Sequence, residues 1–220
     1  MFSILLKKDL FYEFRSKEVL LSMLAFGLTV LLIFSFAVSG TPKTNHELAP
    51  GLFWSLILLS SSLGLHRLLG QEKDMDAFSS VLSAPISRST IFFSKWVSSS
   101  IFLLIVQVIV IVPLFLFLGL SKPINTWIGI GLMILGNLGI NAVGVTIAGL
   151  SMRAKMSAIL LPVLLFPLLS PLLIASVKST IGWYHVLPFD QWSLWVLIMI
   201  TYVVVFTIAG YIFFEYITEE

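Results

Sequence analysis

The stretch VLLSMLAFGLTVLLIFSFAVS, residues 19–39, runs for 21 residues without a charge. A helix needs about 20 apolar residues to cross the hydrocarbon core of a bilayer. The apolar core of a secretion signal is shorter, about 7–15 residues. Although Ala37-Val38-Ser39 has the look of a cleavage site, the length favours a retained first span. Five more runs follow, at about 48–65, 96–118, 127–150, 157–177 and 191–214. They are solid rather than alternating, so they read as helices and not as strands of a lipid-facing barrel. The sequence therefore predicts an all-α, polytopic membrane protein with six transmembrane helices in a single domain spanning residues 1–220.

The composition agrees. The chain has 220 residues, of which 58% are hydrophobic and 11% charged. Soluble domains carry about 25% charged residues, so a conventional soluble enzyme, a disordered chain and a basic nucleic-acid binder are all excluded. Cysteine is absent, which removes disulfides, thiolate metal sites and cysteine nucleophiles. There is no G-x-x-x-x-G-K-[ST] and no H-E-x-x-H, so neither a P-loop ATPase nor a zinc protease is encoded here. Apart from Asp190, near one end of the sixth span, the spans hold no acidic residue. A proton-coupled carrier needs a titratable relay inside the membrane, and that class drops out. The chain reads as a non-enzyme.

Orientation follows from the basic residues. With the N-terminus inside, Lys7, Lys8, Arg15, Lys17, Arg67, Lys73, Arg88, Lys95, Arg153 and Lys155 are cytoplasmic, against Lys43, Lys122 and Lys178 outside. The positive-inside rule places both termini in the cytoplasm of a multi-pass inner-membrane protein.

Four segments carry further expectations. In residues 1–17, Phe2, Leu5, Leu6, Leu10 and Phe14 fall near one helical face, with Lys7, Lys8, Glu13 and Lys17 mostly away from it. That pattern predicts an amphipathic helix at the inner interface, serving as an anchor or docking a cytoplasmic partner. The cytoplasmic segment 66–95 carries seven charges, and Leu68, Met75, Phe78 and Leu82 recur at helical spacing before Pro85. It is either an ordinary solvated connection or a coupling helix that receives force from a motor subunit. Ser87 is the expected cap of the next helix. The fourth span holds six glycines together with Asn137 and Asn141, one turn apart; such residues pack helices closely or line a path. The fifth span holds Pro162, Pro167 and Pro171, each able to bend it. In the last outer loop, Trp183 and His185 are candidates, Trp183 for an aromatic belt and His185 for touching a cofactor or shuttling a proton. Topology separates His46 and His185 from His66, so no three-histidine metal site forms, and none is expected elsewhere.

The most specific stretch is Leu65-His66-Arg67-Leu68-Leu69, then Asp74-x-Asp76-Ala77-Phe78, Leu82-Ser83-Ala84-Pro85 and Lys95-Trp96. With the six spans, the amphipathic start and the proline-rich fifth span, it resembles the haem exporter protein B family, CcmB. These are ABC-2-type permease-like membrane subunits of cytochrome c maturation. His66 stands where the family often has Asp, and Ala77 where it often has Gly. The resemblance implies a CcmA-like ATPase partner, CcmC-like and CcmD-like membrane partners and a CcmE-like haem chaperone, with a homodimer as a further assembly. ATP would sit on the ATPase subunit and haem would be the cargo of the complex, with no cofactor held directly by this chain. It further implies that Arg67, Glu72, Asp74, Met75, Asp76, Phe78, Leu82 and Pro85 shape the ATPase-docking loop. Asn137, Asn141, Pro162, Pro167 and Pro171 would serve the moving membrane core. The alternatives are an ABC-2-type exporter for a lipid, drug or polysaccharide, and a membrane scaffold without transport.

Overall fold

A computed structural model describes residues 2–37, 42–74, 87–121, 123–152 and 157–216; of 42–44, 66–74, 151–152, 157–162 and 216 it describes the backbone alone. Seven helices account for nearly all of them. They are α1 (Phe2–Ser16), α2 (Glu18–Ala37), α3 (Pro42–Asp74), α4 (Arg88–Leu118), α5 (Thr126–Met152), α6 (Ser157–Tyr184) and α7 (Phe189–Tyr216). Six of these, α2 to α7, are long and apolar enough to cross a membrane, matching the predicted spans in number and order.

Two boundaries differ most from the sequence reading. The second span was expected to end at residue 65. The helix instead continues to Asp74 with no break, and only Asn45–Leu65 of it is apolar enough to span. Charge ended the hydropathy signal there without ending the helix. Likewise α4 begins at Arg88, eight residues before the expected start of the third span. Ser87 does occupy the cap position, but its hydroxyl bonds the Thr90 hydroxyl at 2.6 Å and no backbone N–H.

The centre of the bundle is α5. Residues 139–149 are buried without exception, which a helix reaches only when neighbours surround it. Its glycines permit this. The Trp54 ring of α3 lies against Gly136, Leu65 of α3 against Gly144, Leu172 of α6 against Gly139, and Phe214 of α7 against Gly149. In lipid, where no hydrophobic force separates helix from solvent, such close approach supplies the packing energy. By contrast α7 presents Leu194, Leu197, Ile200, Val204, Val205 and Ile208 outward.

The chain turns from α1 into α2 at Lys17, which adopts a left-handed conformation (φ 55°). A non-glycine residue pays roughly 1–2 kcal/mol for that. The turn is held by backbone bonds from Lys17 N to Glu13 O (2.6 Å) and from Leu21 N to Lys17 O (2.9 Å).

Candidate functional site

The membrane core contains a connected polar set. Asn137 donates from Nδ2 to the Ser100 carbonyl (3.1 Å) and to Gln107 Oε1 (3.2 Å), joining α5 to α4. Asn141 Nδ2 donates to Asn137 Oδ1 (2.8 Å) and to the Asn137 carbonyl (3.0 Å). All three side chains are buried. A polar group in hydrocarbon must find partners inside the protein; the two asparagine amides find them in Gln107, in each other and in backbone carbonyls, while Gln107 Nε2 is left without one. Gln107 is the member that the sequence reading did not single out. An apolar hollow of about 460 Å³ between α4 and α5 is lined by residues such as Val108, Val112, Leu116 and Ile130. The asparagines do not line it.

The prolines of α6 behave differently. Pro167 and Pro171 are exposed on the outside of the bundle, while the Pro162 side chain lies outside the described residues. Pro171 deprives the carbonyl four residues before it of a helical donor. That carbonyl belongs to Pro167, and Ser170 Oγ donates to it at 2.8 Å. The Tyr202 hydroxyl of α7 donates to the next carbonyl along, that of Leu168.

At the outer end, the Trp183 indole donates to the Asn125 carbonyl at 2.7 Å and the Tyr184 hydroxyl to the Ser121 carbonyl at 3.0 Å. Both tie α6 to the loop between α4 and α5. His185 is exposed and meets Tyr184 edge-on, with ring centroids 5.7 Å apart, while His46 lies 5.4 Å from the other side of that ring. Among the described residues no group of three or more His, Cys, Asp or Glu gathers to hold a metal.

The cytoplasmic end holds what the sequence reading missed. The two buried residues of α1 are both acidic, Asp9 and Glu13. Lys95 Nζ of α4 meets Asp9 Oδ1 at 3.0 Å, with side-chain exposures of 7% and 5%. Lys8 Nζ reaches the same oxygen at 3.6 Å from the surface. Removing one partner of a buried pair costs about 3–5 kcal/mol, because the other charge is left without compensation. Glu13 Oε1 accepts from the Leu20 backbone N–H at 2.7 Å, so it caps α2 from the preceding helix. Burial pushes the Glu13 carboxyl above its ordinary value, against the lowering effect of the Leu20 and Val19 N–H groups. The sequence reading set Glu13 on the polar, outward side of α1. Instead Ile4, Phe11, Tyr12 and Phe14 face out, and only Leu5, Leu6 and Leu10 of the expected apolar face are even half-buried. The hint was the i, i+4 spacing of Asp9 and Glu13, which puts both acids on one face.

Of the docking candidates, Arg67, Glu72 and Asp74 belong to the extension of α3. Met75, Asp76, Phe78, Leu82 and Pro85 lie outside the described residues.

Comparison with known proteins agrees with this architecture. The chain is 28% identical over 175 residues to "Heme exporter protein B" of Rhodobacter capsulatus, covering 77% of this chain and 78% of the relative. The protein of the same description from Haemophilus influenzae is 26% identical over 185 residues, and that from Escherichia coli K12 26% over 183, each match covering 81% of both chains. The CcmB protein family matches over residues 1–215, nearly the whole chain, and this polytopic inner-membrane protein belongs to it, as a membrane permease subunit of an ABC-type cytochrome c maturation complex.

Proposed function

We propose that this chain is the ABC-2-type membrane half of an ATP-driven machine whose motor is a separate CcmA-like subunit docked on residues 66–87. CcmC-like and CcmD-like membrane subunits and a CcmE-like haem chaperone complete the assembly, within which the chain pairs with a second copy. ATP is bound and hydrolysed on the motor, and haem is the cargo of the complex. The observation that carries the docking assignment is the continuation of α3 through nine residues beyond its apolar part, to Asp74. At 1.5 Å per residue this projects the charged segment roughly 14 Å from the span on a rigid stem. The segment returns into α4 at Arg88, again as helix. Both stems pass force without slack.

Within that segment Arg67, Glu72, Asp74 and Asp76 orient the motor by charge, while Met75, Phe78 and Leu82 seat in a groove on it and Pro85 ends the element. In the membrane, Asn137 and Asn141 hold the core about which movement occurs, and Pro162, Pro167 and Pro171 give α6 its bendable stretch. Trp183 anchors the outer end, and His185 is the residue there open to the haem-handling partners. The apolar outward face of α1 rests in the inner leaflet.

The test is charge reversal of the loop. Asp74→Lys with Asp76→Lys should lower copurification of the ATPase at least tenfold while the chain stays in the membrane. Undiminished copurification would reject the docking assignment.

A further inference from the structure

An interfacial helix is ordinarily attached by its apolar face and leaves its charges to water. In α1 the attachment is reversed. Ile4 and Phe11 are about 70% exposed, at 71% and 69%, whereas Asp9 and Glu13 are buried at 6% and 2%. Each acid holds a different helix: Asp9 the ammonium of Lys95 in α4, Glu13 the first turn of α2. Apolar contacts slide with little change in energy, but a buried ion pair holds a defined geometry, since separating it gives up its attraction in a low-dielectric site. Phe14 adds an edge-on contact with Phe102 of α4, centroids 6.2 Å apart. Lys95 lies only seven residues into α4, which starts at Arg88. That is roughly 10 Å along the helix from the loop.

We propose that Asp9 and Lys95 are positioning residues that lock α1 to the cytoplasmic end of α4, so that movement delivered to the 66–87 segment carries α1 with it along the inner face of the membrane. The proposal rests on the docking of a motor at that segment. The pair touches neither nucleotide nor cargo; it keeps two helices moving as one body.

The experiment uses the complex purified from its own membrane, with the c-type cytochrome yield of the same cells as output. Asp9→Asn and Lys95→Met should each leave the chain in the membrane with its ATPase bound, and lower cytochrome yield at least fivefold. The exchange Asp9→Lys with Lys95→Asp should restore at least half of that loss. Full yield in either single variant overturns the proposal. So does an exchange that restores nothing, or loss of all three variants from the membrane, which would make the pair a device of assembly only. Wild-type complex that carries no ATPase would instead sink the docking reading. A second measurement exploits the lack of cysteine. Phe14→Cys with Phe102→Cys, bridged in the purified complex by a short bis-methanethiosulfonate reagent, should hydrolyse ATP within twofold of the reduced form, because helices that move together tolerate a bond between them. Loss of hydrolysis that reductant reverses shows that α1 must part from α4, and overturns the proposal.

Discussion

The fifth and sixth helices are both apolar, both able to span, and both interrupted by residues that a helix in water would avoid. They handle those residues in opposite ways. In α5 the asparagines and most of the glycines point inward and are consumed by neighbours: Gly136 by Trp54, Asn137 by Ser100 and Gln107. In α6 the described prolines point outward, and at Pro171 the helix repairs itself through Ser170. An interruption inside the bundle is thus matched by other helices, and one at its rim is matched locally. Substitution should therefore be costly in α5 and mild in α6.

The sharpest way to break that contrast is Gly136→Leu. The Trp54 ring occupies the space where a side chain would begin, and overpacking of this kind costs about 1–3 kcal/mol or more. The variant should lose most of its thermal stability in detergent and accumulate poorly in the membrane. Asn137→Leu comes next. It leaves Gln107 Oε1 without its donor and Asn141 Nδ2 with only the backbone carbonyl of residue 137, for an expected loss of about 1–2 kcal/mol in a membrane interior, read as a lowered unfolding midpoint. A midpoint equal to wild type would show that water replaces the amide.

Glu13 sharpens the comparison at the cytoplasmic edge, because unlike the asparagines it can change charge. Its carboxyl is raised above 4.5 by burial. The stability gained from its proton is complete below that ordinary value and lost as the pH rises through the raised one. The difference in unfolding midpoint between the wild type and Glu13→Gln should accordingly move in favour of the wild type as the pH falls toward the ordinary carboxyl range. Glu13→Gln keeps an acceptor without a charge and should change stability at neutral pH by under about 1 kcal/mol. The smallest effect is expected of Pro171→Ala. With Pro171 on the outside and its orphaned carbonyl already served by Ser170, a restored N–H adds little. A shift of the midpoint beyond about 1 kcal/mol in either direction would mean that α6 is not self-repaired.

The six crossings were legible because uncharged runs of that length have few other fates. Their inward and outward faces were not: Leu197 and Met199 are equally apolar, yet one is exposed and the other buried. Hydropathy has no direction when both sides of a helix are oily. The extension of α3 to Asp74 was visible in the spacing of Leu68 and Met75, but the charges between them read as a loop. The pair of Asp9 and Lys95 was beyond reach for a different reason. The two residues stand 86 positions apart, and neither has a local pattern that points to the other. Only the fold brings them together, whereas the acids at 9 and 13 could have been found from their shared face.

The glycines of α5 carry a consequence for how such a chain can change over time. Five of the six are fitted to a side chain from another helix, so Gly136 can grow only if Trp54 shrinks, and Gly149 only if Phe214 does. Helices α3, α6 and α7 are bound to α5 as spouses in substitution. The outward residues of α7 have no such ties and are free to drift, so sequence divergence among descendants should pool at the rim while the axis alters, if at all, two residues at a time.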